Sequence, residues 1–212
     1  MAKAAGKDVD QRDTRARILA AARATFAEHG YSGASVSKIA RRAGVLAGSL
    51  YWAFPSKEAL FAAVLTEASE AWRARYIKAP DPSPAIDEIR VDIRKIASGF
   101  AEAPEFLRLL MVVATEHQAG APEIRAAAIE IRRSWRASIE SGLVAGLAGH
   151  PPDAVAALAR RISRLVIQLL DGVFMSLQFE QAELGPDALI AEVADVVQRE
   201  LDFGVRALEA GA

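Results

Sequence analysis

The stretch AGVLAGSLYWAFPSKEAL, residues 43–60, sets Tyr51, Trp52 and Phe54 almost side by side, with Lys57 just beyond a proline. Side chains on one helical face are three or four residues apart. Adjacent aromatics on a short helix therefore point in different directions, and some of them must meet something other than the core. Catalytic chemistry has little to work with. The three histidines, His29, His117 and His150, are dispersed along the chain. No Ser-His-Asp, HExxH or Walker pattern is present, and GLVAGLAGH (142–150) has glycines but no preceding strand that would make it a nucleotide loop. No enzyme activity, metal site or cofactor is expected.

Charge gives a second lead. The 212 residues carry a net charge of −1, yet residues 1–57 hold ten Lys and Arg against four Asp and Glu. That makes the first quarter +6 and leaves −7 for the rest. A basic segment on an acidic body suits a polyanion partner for the N-terminal part alone, although a merely solvated asymmetry gives the same count. There is no cysteine, which excludes disulfides and thiolate metal sites. The first fifteen residues lack the apolar core of a signal peptide, and no apolar run reaches the roughly 20 residues needed to span a bilayer. A cytoplasmic protein is expected.

The elements that must position these residues read as helices throughout. Residues 1 to about 11 read as an irregular arm. Ile18, Leu19, Ala22 and Phe26 mark a first helix that ends at Gly30. Ser35 can cap a second, with Val36, Ile39, Ala40 and Ala43 on one face and Gly44 ending it. A third runs from about Ala47 to Phe54, where Pro55 stops it. A fourth, capped by Ser56 and with Glu58 in its first turn, runs to about Ile77. After KAPDPSPA come long helical segments at about 84–101, 104–118, 121–147, 152–181 and 187–209, separated by proline and glycine. The fold class is all-α.

A short helix, a tight turn at Gly44 and a second short helix make a helix-turn-helix pattern, which many helical hairpins share. The run SVSKIARRAGVLAGSLYWAFPSKEALF is more specific and closely resembles the DNA-binding signature of TetR-family transcriptional regulators. The matches are Ser35, Ile39, Ala40, Ala43, Gly44, Val45, Leu50, Tyr51, Phe54, Ser56, Lys57, Glu58 and Leu60, and ILAAARATFAEHGYSGAS leads into them as in the family. The resemblance covers residues 13–65; beyond it only the all-helical architecture is similar.

The resemblance implies a three-helix DNA-binding domain over 1–57, arm included, and a helical ligand-binding and dimerisation domain over 58–212, joined through helix four at about 56–77. It implies a sequence-specific regulator, by family default a repressor. Such a protein binds a palindromic operator as a homodimer, and a small-molecule effector releases it. Ala47, Ser49, Tyr51 and Trp52 would line the recognition helix, with Leu50 and Phe54 in the core. Ser35 and Lys57 would meet phosphates at helix starts. Ser37 and Lys38 are further contacts, and Arg41 and Arg42 more distant ones. Lys3, Lys7, Arg12 and Arg15 could form an arm or a phosphate patch. The alternatives are Tyr51 as a core aromatic and Trp52 packed on helix one or four. The family pattern is broken at Leu46, where Ser is usual, and at Ala53, often His. Few direct base readers remain, so phosphate contacts and DNA shape would carry much of the recognition.

In the remaining two-thirds the resemblance implies dimerisation through the last two long helices, about 152–181 and 187–209, where Leu165, Leu169, Gly172, Val173, Phe174, Leu177, Leu189, Val193, Val196, Val197 and Leu201 suit a two-fold four-helix bundle; an intrachain core is the alternative. Gly172 suggests a close approach at that seam. Pocket candidates are Trp72, Phe100, Phe106, Met111, His117, Trp135, Gln168, Asp171, Phe174 and Met175. Gln168 and Asp171 stand out as polar groups in an apolar run that would need partners. An architectural DNA binder without site preference, and a ligand-binding protein with a vestigial DNA head, are the other readings.

Overall fold

The computed structural model describes residues 2–76, 95, 99, 109–111, 113, 114, 122–179 and 185–210. Among these every regular element is a helix. In chain order they are α1 (Ala2–Gly33), α2 (Val36–Ala43), α3 (Ala47–Ala53), α4 (Lys57–Tyr76), α5 (Pro122–Gly146), α6 (Pro152–Phe179) and α7 (Pro186–Ala210). No helix among the described residues is long and apolar enough to cross a membrane. The chain divides into two compact units, residues 1–70 with 105–131 and residues 71–104 with 132–212. The expected segments at 84–101 and 104–118 lie largely outside the described residues.

In the first unit α1 presents Ile18, Ala22 and Phe26, four residues apart, and all are fully buried. The chain breaks at Gly30, whose φ of 66° is open to glycine and costly for other residues. The irregular arm expected to about residue 11 is instead helical from Ala2. Once the turns from Asp13 onward exist, extending a helix backwards adds a hydrogen bond for each residue fixed and needs no new nucleus. The loop expected at 30–34 is likewise shorter, since the turn after Gly30 is helical to Gly33.

Ser35 caps α2, its Oγ accepting from the Lys38 N–H at 3.2 Å. At the other end Gly44 is left-handed, with φ 65° and ψ 37°. The Val45 N–H donates to Ala40 O at 3.0 Å and the Gly44 N–H to Arg41 O at 3.2 Å. That paired closure uses two carbonyls the helix would otherwise leave open, and it reverses the chain toward α3. Ile39, Ala40 and Ala43 are the buried face of α2, and Leu50 is the buried residue of α3.

In the second unit α6 and α7 pack on each other. Val155, Ala159, Ile162, Val166, Leu170 and Phe174 are buried along α6, and Ile190, Val193, Val197, Leu201 and Leu208 along α7. Phe174, Val193, Val197 and Leu201 were expected at a dimer seam, but they belong to this intrachain core. Arg161 and Glu200 form an ion pair between the two helices. The close approach lies at Gly204, where a Cβ would come within 2.3 Å of Leu158 Cδ1 and 2.8 Å of Cδ2. At Gly172, the expected place, an added Cβ would meet nothing within 4 Å. Trp72 of α4 and Trp135 of α5 lie 5.0 Å apart in this unit, and the Trp72 indole N–H donates to Gly99 O at 3.2 Å.

Both methyl ends of the buried Leu158 stand where the new atom would go, so Gly204→Ala forces Leu158 out of its rotamer. A stability loss of about 1–3 kcal/mol is expected, read as a lower urea midpoint. Gly172→Ala, on open helix surface, is expected to raise the midpoint of the isolated fold.

Candidate nucleic-acid interface

The α2–α3 pair is held by two arginines of α1. Arg17 Nη2 donates to Ala43 O at 2.7 Å and to Gly44 O at 2.9 Å. A cation thus sits on the carbonyl end of α2, where the helix dipole favours it. Arg15 lies over the Phe54 ring, 4.2 Å from its centroid, and donates to Ala53 O at 3.4 Å. Arg15 therefore holds the end of α3. Arg42 makes a two-pronged ion pair with Glu28 at 2.7 and 2.8 Å. That bond holds Glu28 below the usual carboxylate range.

With its ends fixed, α3 turns Leu50 and Phe54 inward, and both are buried. Tyr51 and Trp52 point out, 53% and 73% exposed. The two alternatives, a core Tyr51 and a packed Trp52, are not what the fold adopts. Ala47 and Ser49 are also exposed. Leu46 occupies the N-cap of α3 without a side-chain cap bond and is 80% exposed. Leu46, standing where the family pattern has Ser, thus leaves α3 without a side-chain cap. Ser35, Ser37 and Lys38 are exposed on α2; Lys38 Nζ reaches Gly33 O at 3.2 Å.

The start of α4 is organised by Tyr31, which no sequence signal singled out. Its ring stacks on Phe26 at 5.9 Å and meets Phe61 edge-on at 5.2 Å, while Phe26 and Phe61 are 4.6 Å apart. The Tyr31 hydroxyl donates to Glu58 Oε1 at 2.5 Å. Lys57 Nζ lies 4.1 Å above the same ring, a cation–π contact. Ser56 caps the helix, its Oγ accepting from the Ala59 N–H at 3.0 Å. Burial pushes the Tyr31 phenol far above its usual range, and the Glu58 bond adds to this. That bond, foremost, holds Glu58 below the usual carboxylate range.

Of the pocket candidates, Phe100, Phe106 and His117 lie outside the described residues. Met111 is half-buried in the first unit. In the second, Trp135 and Phe174 are buried and Met175 is partly exposed. Gln168 is exposed; α6 is amphipathic at this point, so no buried partner is needed. Asp171 has a partner that the sequence did not suggest: Arg132 of α5, through bonds of 3.0 and 2.6 Å. The 39-residue separation carries no periodic signal.

A capped short helix, a left-handed turn and a second short helix with an outward aromatic face make a helix-turn-helix unit. The family model described as bacterial regulatory proteins, tetR family, matches residues 18–64. The HTH-type transcriptional regulator UidR of Escherichia coli strain K12 is 43% identical over 63 residues, 30% of this chain and 32% of UidR. RutR of the same strain is 35% identical over 105 residues, 50% of this chain and 48% of RutR. The chain thus spans about a third to a half of the length of these curated relatives. Two solved structures share the fold. The regulator FadR from Bacillus subtilis, in complex with stearoyl-CoA, has a TM-score of 0.63 at 23% identity, covering 85% of this chain and 96% of FadR. A tetR-family regulator from Streptomyces coelicolor has a TM-score of 0.70 at 16% identity, covering 94% and 85%.

Tyr31→Phe keeps the ring contacts but removes the bond to Glu58, and is expected to cost about 1 kcal/mol at neutral pH. Glu58's contribution is present above its unfolded pKa and lost as pH falls through its lower folded value. Tyr31's is present below its unfolded pKa and lost as pH rises toward its higher folded one. Urea unfolding across pH is expected to show both losses reduced in Tyr31→Phe, leaving a flatter profile than the wild type.

Proposed function

We propose that this protein is a transcriptional regulator that binds a palindromic operator as a homodimer, acts as a repressor, and is released by a small-molecule effector. The observation that carries the reading is the split of α3. Leu50 and Phe54 anchor it in the core while Tyr51 and Trp52 are turned to solvent on a segment whose net charge is +6. A fixed helix with an outward polar–aromatic face on a basic unit suits the major groove.

In this reading Ala47, Ser49, Tyr51 and Trp52 face the duplex. Ser49 takes a base edge or a phosphate, and the Tyr51 hydroxyl takes a phosphate oxygen. Ser35, Ser37, Lys38 and Lys57 bind the backbone. Lys57 reaches a phosphate from the capped start of α4, adding its charge to the helix N-terminus. Residues 1–57 form the reader and 58–212 the regulatory domain, and α4 is the covalent link.

Two-fold pairing is supported by an apolar stripe on the outer side of α7. Leu189, Val196 and Phe203 recur every seven residues, with Val196 and Phe203 exposed. Exposed Gly172 and half-buried Leu165, Leu169, Val173 and Leu177 continue it on α6. Two such helices per subunit give a four-helix interface, and a two-fold protein matches half-sites about 34–36 Å apart. For the effector, the ion pair of Asp171 with Arg132 supplies charge, and Trp135, Gln168, Phe174 and Met175 of the same unit are the remaining candidates. The effector shifts the tilt of α4 and so the spacing of the two readers; coupling of about 1–3 kcal/mol changes DNA affinity about 5–150-fold.

Selection of bound duplexes from a random pool is expected to enrich a two-fold site. On it, Tyr51→Ala and Lys57→Ala are each expected to weaken binding about tenfold with the fold retained, and Lys57→Ala to lower the salt slope by about one. Absence of any enriched site would overturn the regulator in favour of non-specific binding.

A further inference from the structure

Among the described residues, the two most exposed large hydrophobic side chains are Leu46 (80%) and Trp52 (73%). Both belong to one seven-residue helix, Leu46 at its N-cap and Trp52 one residue before its last. Nothing within the fold explains that coincidence. Leu46 makes no side-chain cap bond, and no packing is gained by exposing it.

The rest of the outward face is equally poor in hydrogen-bonding groups. Leu50 and Phe54 are buried, and at 100° per residue the direction opposite them is held by Gly48 and Trp52. Ala47 and Gly48 have no polar side-chain atoms, and an added Cβ at Gly48 would meet nothing within 4 Å. Ser49, Tyr51 and Trp52 supply the only side-chain hydrogen-bonding groups on α3. None of them is an Arg, Asn or Gln, the residues that pair in two-pronged fashion with guanine or adenine.

An exposed apolar side chain that meets the major groove has one complementary feature there, the C5-methyl of thymine. Resting on the regulator reading above, we propose that Leu46 and Trp52 are specificity-determining residues that read thymine methyl groups, so that each half-site is set by the positions of its thymines. The occupant of this apolar face is duplex DNA rather than a protein, because the face sits on the +6 quarter of an otherwise acidic chain. Phosphate contacts supply affinity, and the methyl contacts decide where the helix settles.

The test uses the full-length protein and the duplex enriched by selection. Each thymine of the half-site is replaced in turn by deoxyuridine, which removes one methyl and keeps every hydrogen-bonding edge. Covering one methyl corresponds to about fourfold in binding, so that loss is expected at one or two thymines per half-site. Replacing purines by their 7-deaza analogues, which lack the N7 acceptor, is expected to cost less than about twofold. In Leu46→Ala and Trp52→Ala the ratio of thymine to uracil affinity is expected to fall to about one at the position each residue covers. Both side chains are exposed, so neither variant threatens the fold.

Deoxyuridine tolerated at every position, or a penalty unchanged in both variants, overturns the assignment while leaving the regulator intact. If no duplex is enriched at all and Tyr51→Ala and Lys57→Ala bind as the wild type does, the regulator reading fails and takes this one with it.

Discussion

Two arginine side chains of α1 fix the geometry on which the reading face depends. α2 and α3 are too short to be stable alone; a helix of seven or eight residues cannot offset its nucleation cost. Each is closed from outside at its carbonyl end, α2 by Arg17 on Ala43 O and Gly44 O, α3 by Arg15 on Ala53 O and the Phe54 ring. The left-handed Gly44 makes the first of these possible, because a Cβ there would sit 3.1 Å from Arg17 Nη2. Direction of the turn, seat of the arginine and outward face of α3 are therefore one solution, not three. Cations that a sequence count assigns to DNA are partly used to hold α2 and α3 in place.

The same economy governs the start of α4. Phe26, Tyr31 and Phe61 form one aromatic cluster, and Tyr31 also binds Glu58 and lies under Lys57. A tilt of α4 at its first turn would have to break an aromatic stack, a short charge-assisted hydrogen bond and a cation–π contact together. Coupled contacts of this kind move as a unit. The helix start and the end of α1 are thus tied together by several contacts at once.

Legibility from sequence follows the range of the physics involved. Helix starts and stops were readable because Ser35, Gly44, Pro55 and Ser56 act on their immediate neighbours. The inward pair Leu50 and Phe54 was readable because four-residue spacing defines a face. Contacts between residues far apart in sequence left no local trace: Arg17 with Gly44, Tyr31 with Glu58, Arg132 with Asp171 and Gly204 against Leu158. Burial in the long helices was half legible. Periodicity showed that α6 and α7 each have an apolar side, but not that Val193, Val197 and Leu201 serve the intrachain seam while Phe203 stays outside. Gln168 was misplaced for the same reason, since an apolar run reads as buried on every side until its neighbours are known.

The three tryptophans of the chain are divided by the fold in a useful way. Trp72 and Trp135 are buried together in the second unit, and Trp52 alone is open to water on α3. Their fluorescence should separate accordingly, with a red-shifted, quencher-accessible component from Trp52 and a blue, shielded one from the other two. The protein thereby carries its own optical label on α3 and a second in the helical body. Occupancy of the one and melting of the other can be followed in a single cuvette without modifying a residue.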